Sequence, residues 1–279
     1  MLAAVLAMST AILYGTADFF GGVATRRNSA VVVALISHFS GAILILLLLP
    51  FVAGHPAAGP LWQGALAGLA SGTALTLFYR AMAIGTMSVV APVTSAVSAI
   101  VPVVFGLLHG ERPAPFALVG VSLAIFAVTL ISSADSAART QVRKVSSVLI
   151  AIGSGGGFGL FFVLIPAASG ETGVWPLLAA RCSSVALIAV LAVLTLRGAK
   201  PVVRGWHLIV CAGGLDVGAN VLFLLAKQEG MLSLVATLAS LYPVSTLLLA
   251  YVFLGERLRG KQILGLSLAL AATTLIAAM

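Results

Sequence analysis

The chain has 279 residues, of which 61% are hydrophobic and only 8% are charged. Its mean hydropathy is +1.19. A soluble globular domain carries about 25% charged residues, so this composition excludes a chain that is mostly surrounded by water. The formal charge of +8 does not indicate nucleic-acid binding, because the basic residues lie in short loops between apolar runs, where they set membrane orientation.

Apolar runs separated by turn signals cover nearly the whole sequence. A helix of roughly 20 apolar residues crosses a bilayer core of about 30 Å. Uninterrupted runs such as residues 42–52 argue against the alternating pattern of a β-barrel. We therefore predict an all-α membrane protein of ten transmembrane helices. The predicted spans are residues 2–24, 30–52, 61–83, 87–108, 114–133, 146–167, 173–196, 205–227, 231–253 and 261–279.

The first two predicted spans carry ionisable residues, which inside a membrane usually face the bundle interior or water. Asp18 in the first span is predicted to contact substrate or a coupling ion, and the alternative is an ion pair with Arg80. His38 in the second span is interpreted as a satisfied structural residue rather than as a coupling group.

The third and fourth spans supply an aromatic residue and two hydroxyls. Tyr79 lies near the end of the third span and is predicted to form part of a cavity wall. Ser95 and Ser98 lie three residues apart in the fourth span. They are predicted to line a site or a gate, and packing contacts are the alternative. A repeated small-residue face in the third span predicts close helix packing: Gly64, Gly68 and Gly72.

The longest polar stretch, residues 132–147, lies at the middle of the chain and predicts a linker between residues 1–134 and residues 146–279. Glycines then crowd residues 153–159, at the start of the sixth span. These glycines are not a phosphate loop, because no Lys-Ser/Thr pair follows them. They predict close helix approach or a flexible gate.

The seventh to ninth spans contain the remaining candidates. Arg181 is at the point equivalent to His38 and is a candidate to attract a substrate carboxylate. Asp216 lies at the middle of the eighth span, and Asn220 is on the same helical face four residues later. These two are predicted to bind substrate or couple transport, with a structural hydrogen bond as the alternative. Tyr242 at the middle of the ninth span is a predicted cavity wall, and Pro243 interrupts the helix after it.

The two halves of the chain repeat. A shift of 145 residues lays residues 77–131 over residues 222–276, with 19 of 55 pairs identical. The matches include Ser95 over Ser240 and two Gly-Glu-Arg turns, Gly110-Glu111-Arg112 over Gly255-Glu256-Arg257. We interpret the two glutamates as parts of structural charge clusters.

Each half contains five predicted spans, so the second half must enter the membrane from the opposite side. Inverted five-helix repeats of this kind are typical of secondary transporters. Lys and Arg residues favour the cytoplasmic side, and twelve of them fall on one predicted side against two, Arg112 and Lys227, on the other. This bias predicts cytoplasmic basic loops, periplasmic termini and location in the inner membrane.

Each Gly-Glu-Arg turn is followed by a helix with the pattern Gly-x-Ser-Leu-Ala. With the segment from Leu241 to Leu258, these turns resemble the EamA-type repeats of the drug/metabolite transporter superfamily. The resemblance implies export of amino acids or related metabolites through a cavity lined by spans 3, 4, 8 and 9 with spans 1 and 6. The usual aromatic-Gly pair of the first span corresponds to Tyr14-Gly15, and Phe158-Gly159 occupies the equivalent place in the sixth span.

We expect a secondary exporter, most readily of amino acids, that works by alternating access. Multidrug, nucleobase or sugar export by the same fold is the alternative, and an intramembrane enzyme or a channel is a remote one, since the four histidines are dispersed and form no catalytic pairs. We expect no enzymatic activity and no metal or other cofactor. The expected partners are a small-molecule substrate and the lipid bilayer, with protons as a candidate coupling ion, no nucleic acid, and a monomeric state. The predicted substrate-binding residues are Tyr14, Asp18, Tyr79, Ser95, Ser98, Phe158, Asp216, Asn220 and Tyr242.

Overall fold

The structure is a computed structural model of the chain. It describes residues 1–52, 54–85, 87–132, 141–169, 172–197, 203–254 and 260–277. Residues 133–140 of the predicted linker and the second Gly-Glu-Arg turn, Gly255-Glu256-Arg257, lie outside the described residues. The interpretations of these segments stay predictions.

The described residues form α-helices, joined by short turns. The first half contains α1 (Leu2–Thr25), α2 (Ala30–Leu48), a 3₁₀ turn (Leu49–Phe51), α3 (Ala58–Ile84), α4 (Met87–Leu108) and α5 (Pro115–Ser132). The second half contains α6 (Gln141–Ser169), α7 (Trp175–Leu196), α8 (Trp206–Gln228), α9 (Leu232–Ala239), α10 (Tyr242–Leu254) and α11 (Gly260–Ala277). Every predicted span therefore coincides with helix, although the ninth is made of two helices.

The ninth predicted span breaks between α9 and α10, at Ser240 and Leu241. Pro243 follows the break and has no backbone N–H to donate, as the sequence predicts for an interrupted helix. The Val244 N–H bonds to the Leu241 carbonyl at 3.0 Å in a tight turn. The carbonyl of Ser240 is left without its helical donor, and the hydroxyl of Ser95 on α4 donates a hydrogen bond to it instead.

The beginning of α9 is capped by a residue of the other half. Glu111, in the turn between α4 and α5, accepts hydrogen bonds from the backbone N–H groups of Leu232 (2.8 Å) and Ser233 (3.0 Å). A carboxylate at a helix N-terminus satisfies free donors and complements the helix dipole. Glu111 is structural, as predicted, but its carboxylate serves a helix end.

Six helical segments are long and apolar enough to cross a membrane: residues 2–25, 30–51, 146–169, 175–196, 206–228 and 232–253. Large apolar side chains on their outer faces are exposed, including Leu47, Val193 and Phe253. Such a surface requires lipid around it. The chain is therefore a multi-pass membrane protein, and the count of ten spans stays a prediction.

The principal contacts between the two halves come in matched pairs. Helix α1 packs on α8 as α6 packs on α3, and α2 packs on α8 as α7 packs on α3. Helix α4 packs on α6 as α9 and α10 pack on α1, while α5 packs on its own counterpart α11. This exchange pattern is that of two repeats related by a pseudo-two-fold axis, which places the cavity described below between them.

The small-residue face of α3 packs against α7, as predicted. A Cβ atom on Gly64 would lie 2.2 Å from the Pro176 carbonyl oxygen, and one on Gly68 would lie 2.0 Å from that of Ala180. The contacting residues recur every four positions on both helices, so the two backbones stay close over two helical turns. The two cysteines, Cys182 and Cys211, are free and exposed.

Candidate functional site

A cavity lies between the two halves, within the membrane-spanning part. It is lined from α1, α2, α3, α6, α7, α8 and α10 by Tyr14, Asp18, His38, Ser71, Leu75, Phe158, Phe161, Phe162, Arg181, Asp216, Asn220 and Tyr242. The cavity leaves about 40 Å³ for the centres of water molecules, where one water requires roughly 10–15 Å³. A metabolite larger than a few waters therefore enters only if lining side chains move.

A chain of polar contacts joins three helices across the cavity. The Tyr14 hydroxyl on α1 donates to Oδ1 of Asn220 on α8 at 2.9 Å. The Asn220 amide donates to the backbone carbonyl of Asp216 at 2.6 Å and to its Oδ2 at 3.2 Å. Arg181 on α7 then forms an ion pair with the same Oδ2 through Nη2. The structural hydrogen bond that the sequence offered as an alternative for Asp216 and Asn220 is present.

His38 on α2 holds α7 beside this chain. Its Nδ1 lies 2.7 Å from the Ser184 hydroxyl, which lies 3.0 Å from the Arg181 carbonyl oxygen. The Ser184 hydroxyl is therefore shared between the Arg181 carbonyl and the His38 ring. His38 is thus a satisfied structural residue at the edge of the site, as predicted.

Several polar groups in the cavity are left without partners. Nε of Arg181 and the hydroxyl of Tyr242 are buried and form no hydrogen bond within the described residues. Asp18 is half-buried and makes no ion pair with Arg80, which is exposed. Buried polar groups are normally hydrogen-bonded. Arg181, Tyr242 and Asp18 all line the same cavity, so their unused hydrogen-bonding capacity is concentrated there.

Aromatic rings form the apolar part of the wall. The Tyr14 ring lies 5.8 Å from Phe162 and 6.5 Å from Tyr242, measured between ring centroids. Phe162 in turn lies 4.7 Å from Phe223. Ring edges and faces at these separations attract one another. Tyr14, Phe162 and Tyr242 thus form a continuous aromatic part of the cavity lining.

The structure brings six of the nine predicted substrate-binding residues to this cavity: Tyr14, Asp18, Phe158, Asp216, Asn220 and Tyr242. Tyr79, Ser95 and Ser98 are not among its lining residues. The Tyr79 hydroxyl packs on Gly21, where an added Cβ would lie 2.0 Å from it. Whether these three contact substrate stays a prediction.

Ser95 and Ser98 lie on α4 and are fully buried, on the side of α4 that packs against the break in the ninth span. Ser95 bonds to the Ser240 carbonyl, and Ser98 donates to the carbonyl of Ser95 at 2.9 Å. Ser98 also lies near the Tyr242 phenol without forming a hydrogen bond of normal geometry with it. The packing contacts that the sequence offered as an alternative are therefore present for both serines.

Arg181, the candidate to attract a substrate carboxylate, also lines the cavity. The lining residues for which the sequence suggested no binding role are His38, Ser71, Leu75, Phe161 and Phe162. Phe161 and Phe162 follow Phe158 by three and four residues on one helical face, a spacing that was a usable signal. The family resemblance also implied that the fourth span lines the cavity. The described residues that line this cavity come from α2 and α7 as well and include none from α4, so a contribution of the fourth span to the substrate path stays a prediction.

The described residues contain no group of three or more His, Cys, Asp or Glu that could hold a metal ion. The charged lining groups are one guanidinium, from Arg181, and two carboxylates, from Asp18 and Asp216. Such a set binds and orients small polar molecules through charge and hydrogen bonds.

Comparison with known proteins gives the following likenesses. A model of the EamA-like transporter family matches residues 1–133 and again residues 145–278. A crystal structure whose description names no function resembles the fold with a TM-score of 0.77, at 16% sequence identity, over 99% of this chain and 96% of that chain. No curated protein matches the sequence.

Proposed function

We propose, from the premise that the chain belongs to the EamA-like transporter family, that it is a secondary transporter that exports small metabolites, most readily neutral amino acids. Its predicted ten spans form two inverted repeats, and the cavity between them opens to one side of the inner membrane at a time. A gradient of protons or of the substrate itself drives the exchange.

The observation that carries this proposal is the pairing of opposite charges with spare bonding capacity in one cavity. Arg181 offers unused N–H donors, and Asp18 offers a carboxylate that forms no ion pair among the described residues. An amino acid carries a carboxylate for the first and an ammonium group for the second. The rings of Tyr14, Phe158 and Phe162 would receive an apolar side chain.

A second candidate function is export of monocationic compounds. The cavity holds two carboxylates against one guanidinium, so its formal charge is negative when Asp18 and Asp216 are ionised. Aromatic rings beside a carboxylate also attract organic cations. This alternative predicts that amines that lack a carboxylate are transported at rates similar to those of amino acids.

The test is counterflow in proteoliposomes that contain the purified full-length chain. The substrate panel comprises neutral amino acids, organic cations, nucleobases and sugars. We expect saturable counterflow of neutral amino acids. We also expect Asp216→Ala and Tyr242→Ala each to lower the flux by at least about tenfold, as the loss of a site contact predicts.

Tyr251→Ala is the matched control for Tyr242→Ala, because Tyr251 lies on the same helix, α10, and is half-exposed on its outer face. Its flux should equal that of the unchanged chain. Unaltered flux in both site variants would remove the site assignment. Absence of flux for the whole panel would contradict transport itself, and non-saturating flux would favour a channel.

A further inference from the structure

Arg181 uses only part of its bonding capacity in the ion pair with Asp216. The bond runs through Nη2 alone, and Nε is buried without a partner among the described residues. A guanidinium presents five N–H donors in a planar fork that suits two-point binding of a carboxylate. The Asp216 carboxylate therefore binds the guanidinium through Nη2 only and leaves the Nε–H donor of Arg181 without an acceptor in the part of the chain that the structure describes.

The two members of the pair differ in how firmly they are held. The Arg181 side chain is 5% exposed, whereas that of Asp216 is 23% exposed and faces the cavity. His38 and Ser184 fix α7 at the backbone of Arg181. The guanidinium is thus the fixed partner, and the carboxylate is the one that can be displaced.

A second donor stands ready for a displaced Asp216. The Asn220 amide already donates to Oδ2 of Asp216 at 3.2 Å, and its orientation is set by the Tyr14 hydroxyl on its other side. Asp216 therefore keeps a hydrogen bond when Arg181 is taken from it. The buried Tyr242 hydroxyl, which lacks a partner of normal geometry, remains available to a ligand.

We propose that Asp216 occupies, in the empty protein, the place on Arg181 that the carboxylate of the substrate takes when it binds. This inference rests on the proposed function and names the recognised group, a free carboxylate next to an amine. Binding exchanges one carboxylate for another on Arg181, the released Asp216 keeps its hydrogen bond from Asn220, and the ammonium group of the ligand lies beside Asp18.

The exchange keeps a buried guanidinium paired in both states. An unpaired charge in a low-dielectric interior is strongly unfavourable, so a carrier whose binding arginine lost its partner on unloading would be destabilised. Asp216 avoids this by returning to Arg181 as the substrate leaves. It also competes with the substrate, which limits affinity and favours release.

The competition predicts opposite effects of changing the two partners. If the ion pair holds Arg181 in about nine molecules of ten, freeing it raises the apparent affinity for a carboxylate about tenfold. Asp216→Asn should therefore tighten the binding of neutral amino acids about tenfold, although it slows counterflow. Arg181→Gln should weaken that binding at least about tenfold and should abolish the preference for an acid over its amide.

The experiment measures binding to the full-length chain in nanodiscs, by thermal-shift titration with neutral L-amino acids and their C-terminal amides. The double variant Arg181→Gln/Asp216→Asn removes both charges together and so leaves no unpaired charge if Arg181→Gln alone does not fold. It should bind acid and amide equally. Arg80→Gln is the matched control, since Arg80 is exposed at the end of α3, and it should bind as the unchanged chain does.

Three results would overturn the inference. The first is that the unchanged chain binds amino acids and their amides with equal affinity. The second is that Asp216→Asn binds amino acids no more tightly than the unchanged chain does. The third is that Asp216→Asn binds none of the amino acids. Transport of compounds that lack a carboxylate would leave the proposed function standing without this inference. If amino acids bind with the expected changes in affinity but show no counterflow, the inference about Asp216 stands and the proposed function is contradicted.

Discussion

Ser95 donates a hydrogen bond to the backbone carbonyl of Ser240, the residue that corresponds to it 145 positions later in the second repeat. The two copies of the repeat therefore meet at equivalent residues. They meet where α9 ends and α10 begins, two residues before the cavity residue Tyr242. A side chain of the first half thus completes the backbone hydrogen bonding of the second half next to the site.

Ser95→Ala should destabilise the protein by about 1–3 kcal/mol, because it leaves the buried Ser240 carbonyl without a donor. The measurement is the thermal unfolding midpoint of the purified protein. Ser122→Ala is the control: Ser122 is exposed and bonds only to a carbonyl of its own helix, so its midpoint should not change. A midpoint unaffected by Ser95→Ala would show that the break in the ninth span does not depend on this bond.

Gly155→Ala should destabilise the packing of α6 on α4 by about 1–3 kcal/mol, a usual cost of forcing an extra methyl group into a packed core. An added Cβ would lie 2.5 Å from the Thr94 carbonyl oxygen, which belongs to backbone and cannot easily move. The next residue provides the control, because an added Cβ on Gly156 meets nothing within 4 Å. Gly156→Ala should be neutral or slightly stabilising through helix propensity, and equal midpoints in the two variants would contradict the packing.

Glu111→Gln should destabilise the start of α9 by about 0.5–2 kcal/mol, in the range of a lost N-terminal cap. Hydrogen exchange at the amides of Leu232 and Ser233 should become faster, because both donate to the carboxylate. Glu229→Gln removes the same charge from an exposed position in the turn before α9. It should leave exchange at both amides unchanged, and acceleration in both variants would point to a general charge effect instead of a cap.

Membrane orientation is predicted from the charge bias and is tested by cysteine labelling. In a chain carrying Cys182→Ala and Cys211→Ala, single cysteines are introduced as Arg27→Cys, His55→Cys and Arg112→Cys. A membrane-impermeant maleimide should label the cysteines at 55 and 112 in intact cells, and the one at 27 only after permeabilisation, because basic loops stay in the cytoplasm. The opposite pattern would place both termini in the cytoplasm.

The sequence alone predicted the helical membrane fold, the helix positions and the interruption near Pro243. These follow from local properties: apolar length, turn residues and the missing N–H of proline. It also predicted that Asp18, Asp216 and Asn220 are functional candidates, because ionisable and amide side chains inside a membrane need a polar surrounding.

The sequence did not predict the partner of Asp216. Arg181 lies 35 residues earlier on a different helix, and no local pattern says that α7 and α8 turn these two faces toward each other. For the same reason, the sequence did not decide between a cavity role and a packing role for Ser95 and Ser98. Hydroxyls near mid-helix fit a cavity or a helix contact equally well, and the choice depends on which neighbour packs against α4.

Close contacts at glycines divide the molecule differently from its two repeats. Gly68 of α3 meets α7, Gly213 of α8 meets Ser37 of α2, Gly155 of α6 meets α4, and Gly15 of α1 meets α10. Each of these four close contacts joins a helix of one half to a helix of the other half. The most closely packed helix pairs therefore each contain one helix from each half. The ion pair between Arg181 on α7 and Asp216 on α8 links two such pairs, α3 with α7 and α2 with α8, at the cavity.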